Sequence, residues 1–225
     1  MKSLRRPDRW NRYAYVMNNP LIYVDPEGEI LKLSGEKKAV DQFVEEANEG
    51  LYGKTLEVDD QGNATLVDDP NEQGPPTPEQ QSLEDTLNEA ISDPKTTEIT
   101  VVDGDKKTAI DSWTGQSADI RDMKKYGDGP GASTAGWIAH VVAEQHARQS
   151  QGMYGPLGYP LGHYGYGVPA EDGATGYSRG LEQSNLSATN DIVSGSITVP
   201  YSRGNQVVNV TTEFKRGNVK GVERQ

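Results

Sequence analysis

Two hydrophobic periodicities follow one another along this chain, and their order constrains its fold more than any other feature. Apolar residues recur at helical spacing in one segment at Val40, Phe43, Val44, Ala47 and Leu51. Short segments rich in β-branched residues, such as TEITVVDG, lie between the helical ones and indicate strands. Helices and strands mixed in this way predict an α+β domain.

Three main helices are predicted. The first follows Ser34, which is placed as its N-cap, and stops before Gly53. The second begins with a capping box, with Thr77 as N-cap and Gln80 three residues later. The third, in STAGWIAHVVAEQHARQSQ, is predicted to begin near Ser133.

The remaining segments predict hairpins, an irregular loop and a C-terminal sheet. KTLEVDDQGNATLVDD is predicted to form a hairpin, and TEITVVDG is predicted to pair with KTAIDSW. Residues 152–180 contain nine glycines and five tyrosines, which predicts a stretch without regular structure. The C-terminal segment turns at SRGN and KRGN, which indicates a three-stranded antiparallel meander.

Composition excludes several classes of protein. The 225 residues include no cysteine, so disulfides and cysteine-ligated metal sites are excluded. No run of about 18 apolar residues occurs, so no membrane span is predicted. The net charge is -12, and broad nucleic-acid binding is not expected because it needs a surplus of Lys and Arg.

The N-terminal stretch NRYAYVMNNPLIYVDPEG, residues 11–28, has a character of its own. It resembles the motif that closes the core of Rhs/YD-repeat proteins, the shell-forming members of polymorphic toxin systems. In that family a variable toxin domain follows the motif. The resemblance therefore implies that residues 1–28 are the end of an Rhs core and residues 29–225 a toxin domain.

The resemblance also implies a biological setting. Such a domain is secreted or injected by a bacterial secretion system as an antibacterial or anti-host effector, and it acts inside the target cell. Its implied partners are the Rhs core shell and a cognate immunity protein. In related proteins the Asp of the D-P-x-G motif takes part in self-cleavage, and Asp25 matches that position, although Glu29 departs from the apolar residue common at the junction. Residues 1–28 are not expected to form an independent domain.

Candidate catalytic residues are concentrated in one part of the chain. All three histidines lie between positions 140 and 163. His140 and Glu144 are four residues apart and share one face of the third helix. The glycine-rich stretch is expected to fold over that face and bring His163 and Glu171 to it. His146 falls on the apolar face, where a buried core histidine is expected.

This group suggests more than one chemistry. In one reading His140, Glu144 and His163 bind zinc and Glu171 activates water, as in a metallopeptidase-like hydrolase. HVVAEQH is not H-E-x-x-H, because Val141 stands where that motif has its base. The alternatives are a metal-free His/Glu acid–base site in an RNase, lyase or acyl hydrolase, a structural role for these residues, and a non-enzymatic binding domain.

Overall fold

The computed structural model describes residues 30–72, 74–150, 152 and 163–225. Both helices and strands are present, and the strands form two separate sheets, so the predicted α+β class is confirmed. The helices are α1 (Lys37–Gly50), α2 (Pro78–Ser92), α3 (Ile120–Met123), α4 (Thr134–Gln149) and α5 (Val168–Thr175).

The first sheet has six strands in the order β2-β3-β1-β4-β6-β5. Strand β4 runs parallel to β1 and β6, whereas the other pairs are antiparallel. Alternate residues such as Leu31, Leu33, Ile99 and Val101 are buried, as expected for strands that carry helices on one face. The strands are β1 (Leu31–Gly35), β2 (Lys54–Val58), β3 (Asn63–Asp68), β4 (Thr97–Val102), β5 (Asp111–Ser112) and β6 (Ser117–Asp119).

The second sheet is antiparallel and contains the predicted meander. Strands β9, β10 and β11 are consecutive neighbours, so the meander is confirmed. The long strand β9 also pairs with β8 at its beginning and with β7 at its end. The strands are β7 (Ser178–Arg179), β8 (Gln183–Thr189), β9 (Ile192–Arg203), β10 (Gln206–Lys215) and β11 (Asn218–Arg224).

The helix starts follow capping chemistry, with one correction. The capping box of α2 is complete: Thr77 accepts from the Gln80 backbone N–H and Gln80 accepts from the Thr77 backbone N–H. The prediction of Ser34 as the cap of α1 is wrong, because Glu36 is the N-cap. Ser34 is still paired with Thr100 in the sheet, so β1 continues past the predicted boundary.

Two further predictions are wrong. KTAIDSW does not pair with β4; its residues Asp111 and Ser112 pair with β6, which itself runs parallel to β4. The stretch from residue 163 onward is not irregular, because a π-helical turn (His163–Gly167) leads directly into α5. Glycine lowers helix propensity, but packing of this segment against α4 and α2 outweighs that cost.

Helix α4 is the centre of the molecule. It contacts α1, α2, α5, the π-helical turn and β4. Both its polar and its apolar faces are therefore largely buried, including His140 and Glu144. Among the described residues, no helix is long and apolar enough to cross a membrane. The core-end motif at residues 11–28 and the expectation for residues 1–28 lie outside the described part of the chain.

Candidate His/Glu site

Helix α4 supplies two of the candidate residues from its middle. Its start is fixed by Ser133, whose hydroxyl accepts from the Gly136 N–H. His140 and Glu144 are then one turn apart, and both are buried. The Trp137 ring packs against the His140 ring with centroids 5.2 Å apart. The histidine ring is thus held by its neighbours on the same helix and does not move freely.

The π-helical turn and α5 supply the other two. His163 is the first residue of the turn and is partly exposed, whereas Glu171 lies on α5 and is fully buried. The turn approaches α4 closely because Gly167 has no side chain. A Cβ atom at Gly167 would lie 2.9 Å from Nε2 of His140. The glycine-rich composition therefore permits a close approach of backbone to the His140 ring.

The structure brings all four predicted side chains together. Nε2 of His140 lies 3.2 Å from Nδ1 of His163 and 3.5 Å from Oε2 of Glu144. Nδ1 of His163 lies 3.8 Å from Oε1 of Glu144. Glu171 is on the opposite side of the His140 ring, with Oε2 3.0 Å from Nδ1. Nε2 of the His140 ring thus faces His163 and Glu144, and Nδ1 faces Glu171.

Glu171 is the centre of a buried network. Its Oε2 accepts hydrogen bonds from His140 and from Nη1 of Arg179, and its Oε1 accepts one from the Tyr201 hydroxyl at 2.5 Å. Burial alone would raise the pKa of Glu171, but the bond from His140 and the Arg179 charge outweigh it and lower the pKa to about 2. Glu171 is therefore a carboxylate that accepts, which makes Nδ1 of His140 the donor.

The two histidines have opposite electrostatic surroundings. Burial disfavours the charged form of His140, but the adjacent carboxylates of Glu144 and Glu171 outweigh burial and raise its pKa to about 9. Burial and the neighbouring His140 charge lower the pKa of His163. Glu144 near Nε2 and Glu171 at Nδ1 thus favour a positive charge on the His140 ring.

Sequence reasoning missed Asp111. This half-buried residue of β5 interacts electrostatically with the buried carboxylate of Glu144. Burial and the Glu144 charge raise the pKa of Asp111 to about 7. Asp111 lies on the two-residue strand β5, which pairs with β6, and KTAIDSW carries no motif that could have predicted its interaction with Glu144.

Three of the side chains could hold a metal ion. One ligand atom from each of His140, Glu144 and His163 lies within 4.8 Å of the others. Oε2 of Glu144 is buried and makes no hydrogen bond to any described residue, which leaves it free to coordinate. Nδ1 of His140 donates to Glu171, and a carboxylate in that position fixes the orientation of a metal-binding imidazole.

His146 is separate from this group, as the helical pattern predicts. Its side chain is buried on another face of α4, and its Nε2 lies 3.1 Å from Oδ2 of Asp93. The residue therefore joins the ends of two helices, α4 and α2, and does not contact the candidate site. Asp25, the residue that the resemblance connects with self-cleavage, lies outside the described residues.

Comparisons with protein-family models, with curated proteins and with solved structures found no match for this chain.

Proposed function

We propose that this chain is the toxin domain of an Rhs-type effector and that it is a zinc-dependent hydrolase with peptidase-like chemistry. The observation that supports this proposal most strongly is the spacing of the ligand atoms. Atoms about 2.0–2.2 Å from a tetrahedral zinc ion lie roughly 3.3–3.6 Å from one another. The distances from His140 Nε2 to His163 Nδ1 and to Glu144 Oε2 are 3.2 and 3.5 Å, and His163 Nδ1 lies 3.8 Å from Oε1 of Glu144, slightly beyond that range.

Electrostatics support the same assignment. Glu144, whose carboxylate helps to raise the pKa of His140, would also stabilise a divalent cation beside Nε2 of that histidine. Zinc would supply a Lewis acid that polarises a carbonyl group and activates water. Three protein ligands leave a fourth position for water or substrate, which is typical of catalytic zinc sites.

The other residues take roles that follow from their positions. Glu171 orients His140, since its two oxygens are already held by His140, Arg179 and Tyr201. This geometry favours a positioning role over the role of base suggested by the sequence. We assign the base to Asp111, whose half-buried carboxyl interacts electrostatically with Glu144, one of the proposed ligands.

A metal-free acid–base site is the second candidate. Nε2 of His140 and Nδ1 of His163 are 3.2 Å apart, close enough to share a proton directly. Such a pair would serve an RNase or acyl hydrolase without zinc. Elemental analysis of protein purified without added metal separates the two candidates. About one zinc per chain supports the hydrolase, and its loss in His140→Ala places the ion at this site.

Toxicity is tested separately. The chain is expressed in the bacterial cytosol with and without its cognate immunity protein, alongside the His140→Ala variant. We expect growth arrest with the wild-type chain alone, and normal growth with the variant or with the immunity protein. Equal growth in all cultures would contradict the toxin proposal. If the immunity protein restores growth but the His140→Ala variant is still toxic, the toxin proposal holds and the active site is not at His140.

A further inference from the structure

A cleft of about 180 Å³ lies next to the His/Glu site. It borders the site at two points, because the Tyr164 ring packs edge-on against the His163 ring and Arg179 donates to Glu171. A group bound in this cleft would therefore lie beside the histidines. The cleft is lined by Tyr164, Val168, Arg179, Gly180, Leu181 and Glu182.

The cleft combines one cation with two exposed apolar side chains. Leu181 is 85% exposed and Tyr164 is 70% exposed, and these are the two most exposed large apolar residues among those the structure describes. The Arg179 guanidinium, which lines the same cleft, is nearly buried and also stacks against the Trp137 ring. A buried guanidinium beside exposed apolar groups fits a ligand that carries both an anion and an apolar chain.

Glu182 shows which kind of anion fits. Nη1 of Arg179 is held by the buried Glu171, whereas Nη2 donates to Oε2 of Glu182 at 3.2 Å. Glu182 is partly exposed, so its ion pair with Arg179 contributes little and can be displaced. Its carboxylate occupies a position that the carboxylate of a ligand could take.

We propose that this cleft binds the free carboxylate of an N-acyl amino acid with an apolar side chain, such as the C-terminal residue of a peptide. The ligand carboxylate replaces Glu182 on Nη2 of Arg179, and its side chain packs between Tyr164 and Leu181. The acyl carbonyl then points toward His163. This inference builds on the proposed hydrolase, since it names the substrate class for the same site.

The test measures binding of N-acetyl-leucine and of its amide to the whole chain by calorimetry. We expect the amide to bind roughly 10- to 100-fold more weakly, because it cannot form a charge-assisted bond with Arg179. A tetrapeptide that ends in leucine is the third probe. Tighter binding of the tetrapeptide identifies a peptide as the source of the carboxylate, and equal binding identifies a small N-acyl amino acid.

Two substitutions test the contacts. Glu182→Gln removes the internal competitor, and it should tighten binding of N-acetyl-leucine roughly two- to fivefold. Glu57→Gln, which removes the same charge from an exposed position on β2, should leave binding unchanged. Leu181→Ala should weaken binding roughly three- to tenfold through lost apolar contact, whereas Leu186→Ala on β8 should not.

Equal binding of the acid and the amide would overturn the proposal. So would a Glu182→Gln variant that binds no more tightly than Glu57→Gln, or inorganic phosphate that competes as well as N-acetyl-leucine does. Measurements are made with and without zinc. If the wild-type chain binds the carboxylate but no zinc, the zinc hydrolase alone is contradicted. If it binds zinc but not the carboxylate, the cleft assignment alone is contradicted.

Discussion

Nδ1 of His140 lies 3.0 Å from Oε2 of Glu171, and neither side chain is exposed to solvent. The same oxygen accepts from Nη1 of Arg179 at 2.8 Å. One carboxylate thus fixes the tautomer of the histidine and neutralises a buried guanidinium. Together with the packing of the Trp137 ring, this carboxylate orients Nε2 toward His163 and Glu144.

Glu171→Gln should therefore affect both metal binding and stability. Loss of an outer carboxylate typically lowers metal affinity about 10- to 100-fold, because the imidazole is less basic and less firmly oriented. Leaving Arg179 without its buried partner should cost about 3 kcal/mol in the free energy of unfolding. Zinc titration and urea denaturation measure the two effects. Glu182→Gln removes the other, partly exposed partner of Arg179 and should change both quantities little.

Gly167→Ala tests the geometry of the site without removing any polar group. The new methyl group would lie 2.9 Å from Nε2 of His140, which is closer than van der Waals contact allows. Zinc affinity should fall at least tenfold because the ring or the turn has to move. Gly165→Ala is the matched control in the same turn, where a Cβ would have no atom within 4 Å. Equal zinc affinity in the two variants would show that the close approach is not important.

The histidines of α4 should separate function from stability. His146→Ala removes a buried bond to Asp93 and should cost about 1–3 kcal/mol in unfolding free energy, with zinc affinity unchanged. His140→Ala should abolish zinc binding and toxicity while the circular dichroism spectrum remains that of a folded protein. Toxicity lost in His146→Ala, at a temperature where the variant is folded, would contradict this division.

The features of the fold and site that the sequence predicts correctly depend mainly on interactions between residues close together in the chain. The capping box at Thr77 and the cap at Ser133 are local, and the sequence predicted both. The helical spacing also placed His140 and Glu144 together, and a glycine-rich segment suggested how His163 and Glu171 could approach. The helical state of that segment could not be predicted, because packing against α4 overrides its low propensity.

The residues around the site were harder to predict. Asp111 reaches Glu144 only through the pairing of a two-residue strand, and Arg179 and Tyr201 reach Glu171 from the second sheet. The contacts of Asp111 and Tyr201 join residues about 30 positions apart, and that of Arg179 spans eight residues across a turn, so no local pattern marks any of them. The parallel pairing of β4 with β6 is non-local in the same way, and for that reason the predicted partner of β4 was wrong.

A pH-dependent prediction concerns Asp119, the last residue of β6. Its Oδ1 accepts from the Gly104 N–H and caps α3, whereas Oδ2 is buried without a hydrogen bond to any described residue. Burial, with repulsion from Asp122, raises the pKa of Asp119 to about 6. A carboxyl with a raised pKa in the folded state is more easily ionised on unfolding. It therefore destabilises the fold increasingly as the pH rises from about 4 to about 6.

Asp119→Asn keeps the capping oxygen and removes this charge. The variant should be more stable than the wild-type chain by about 1–2 kcal/mol at pH 8, and the difference should shrink toward zero at pH 4. Urea denaturation of both chains at a series of pH values measures the difference. Asp60→Asn removes the same charge from an exposed turn and controls for the change in net charge. If the difference in unfolding free energy between Asp119→Asn and wild type stays constant from pH 4 to pH 8, ionisation of Asp119 does not destabilise the folded protein.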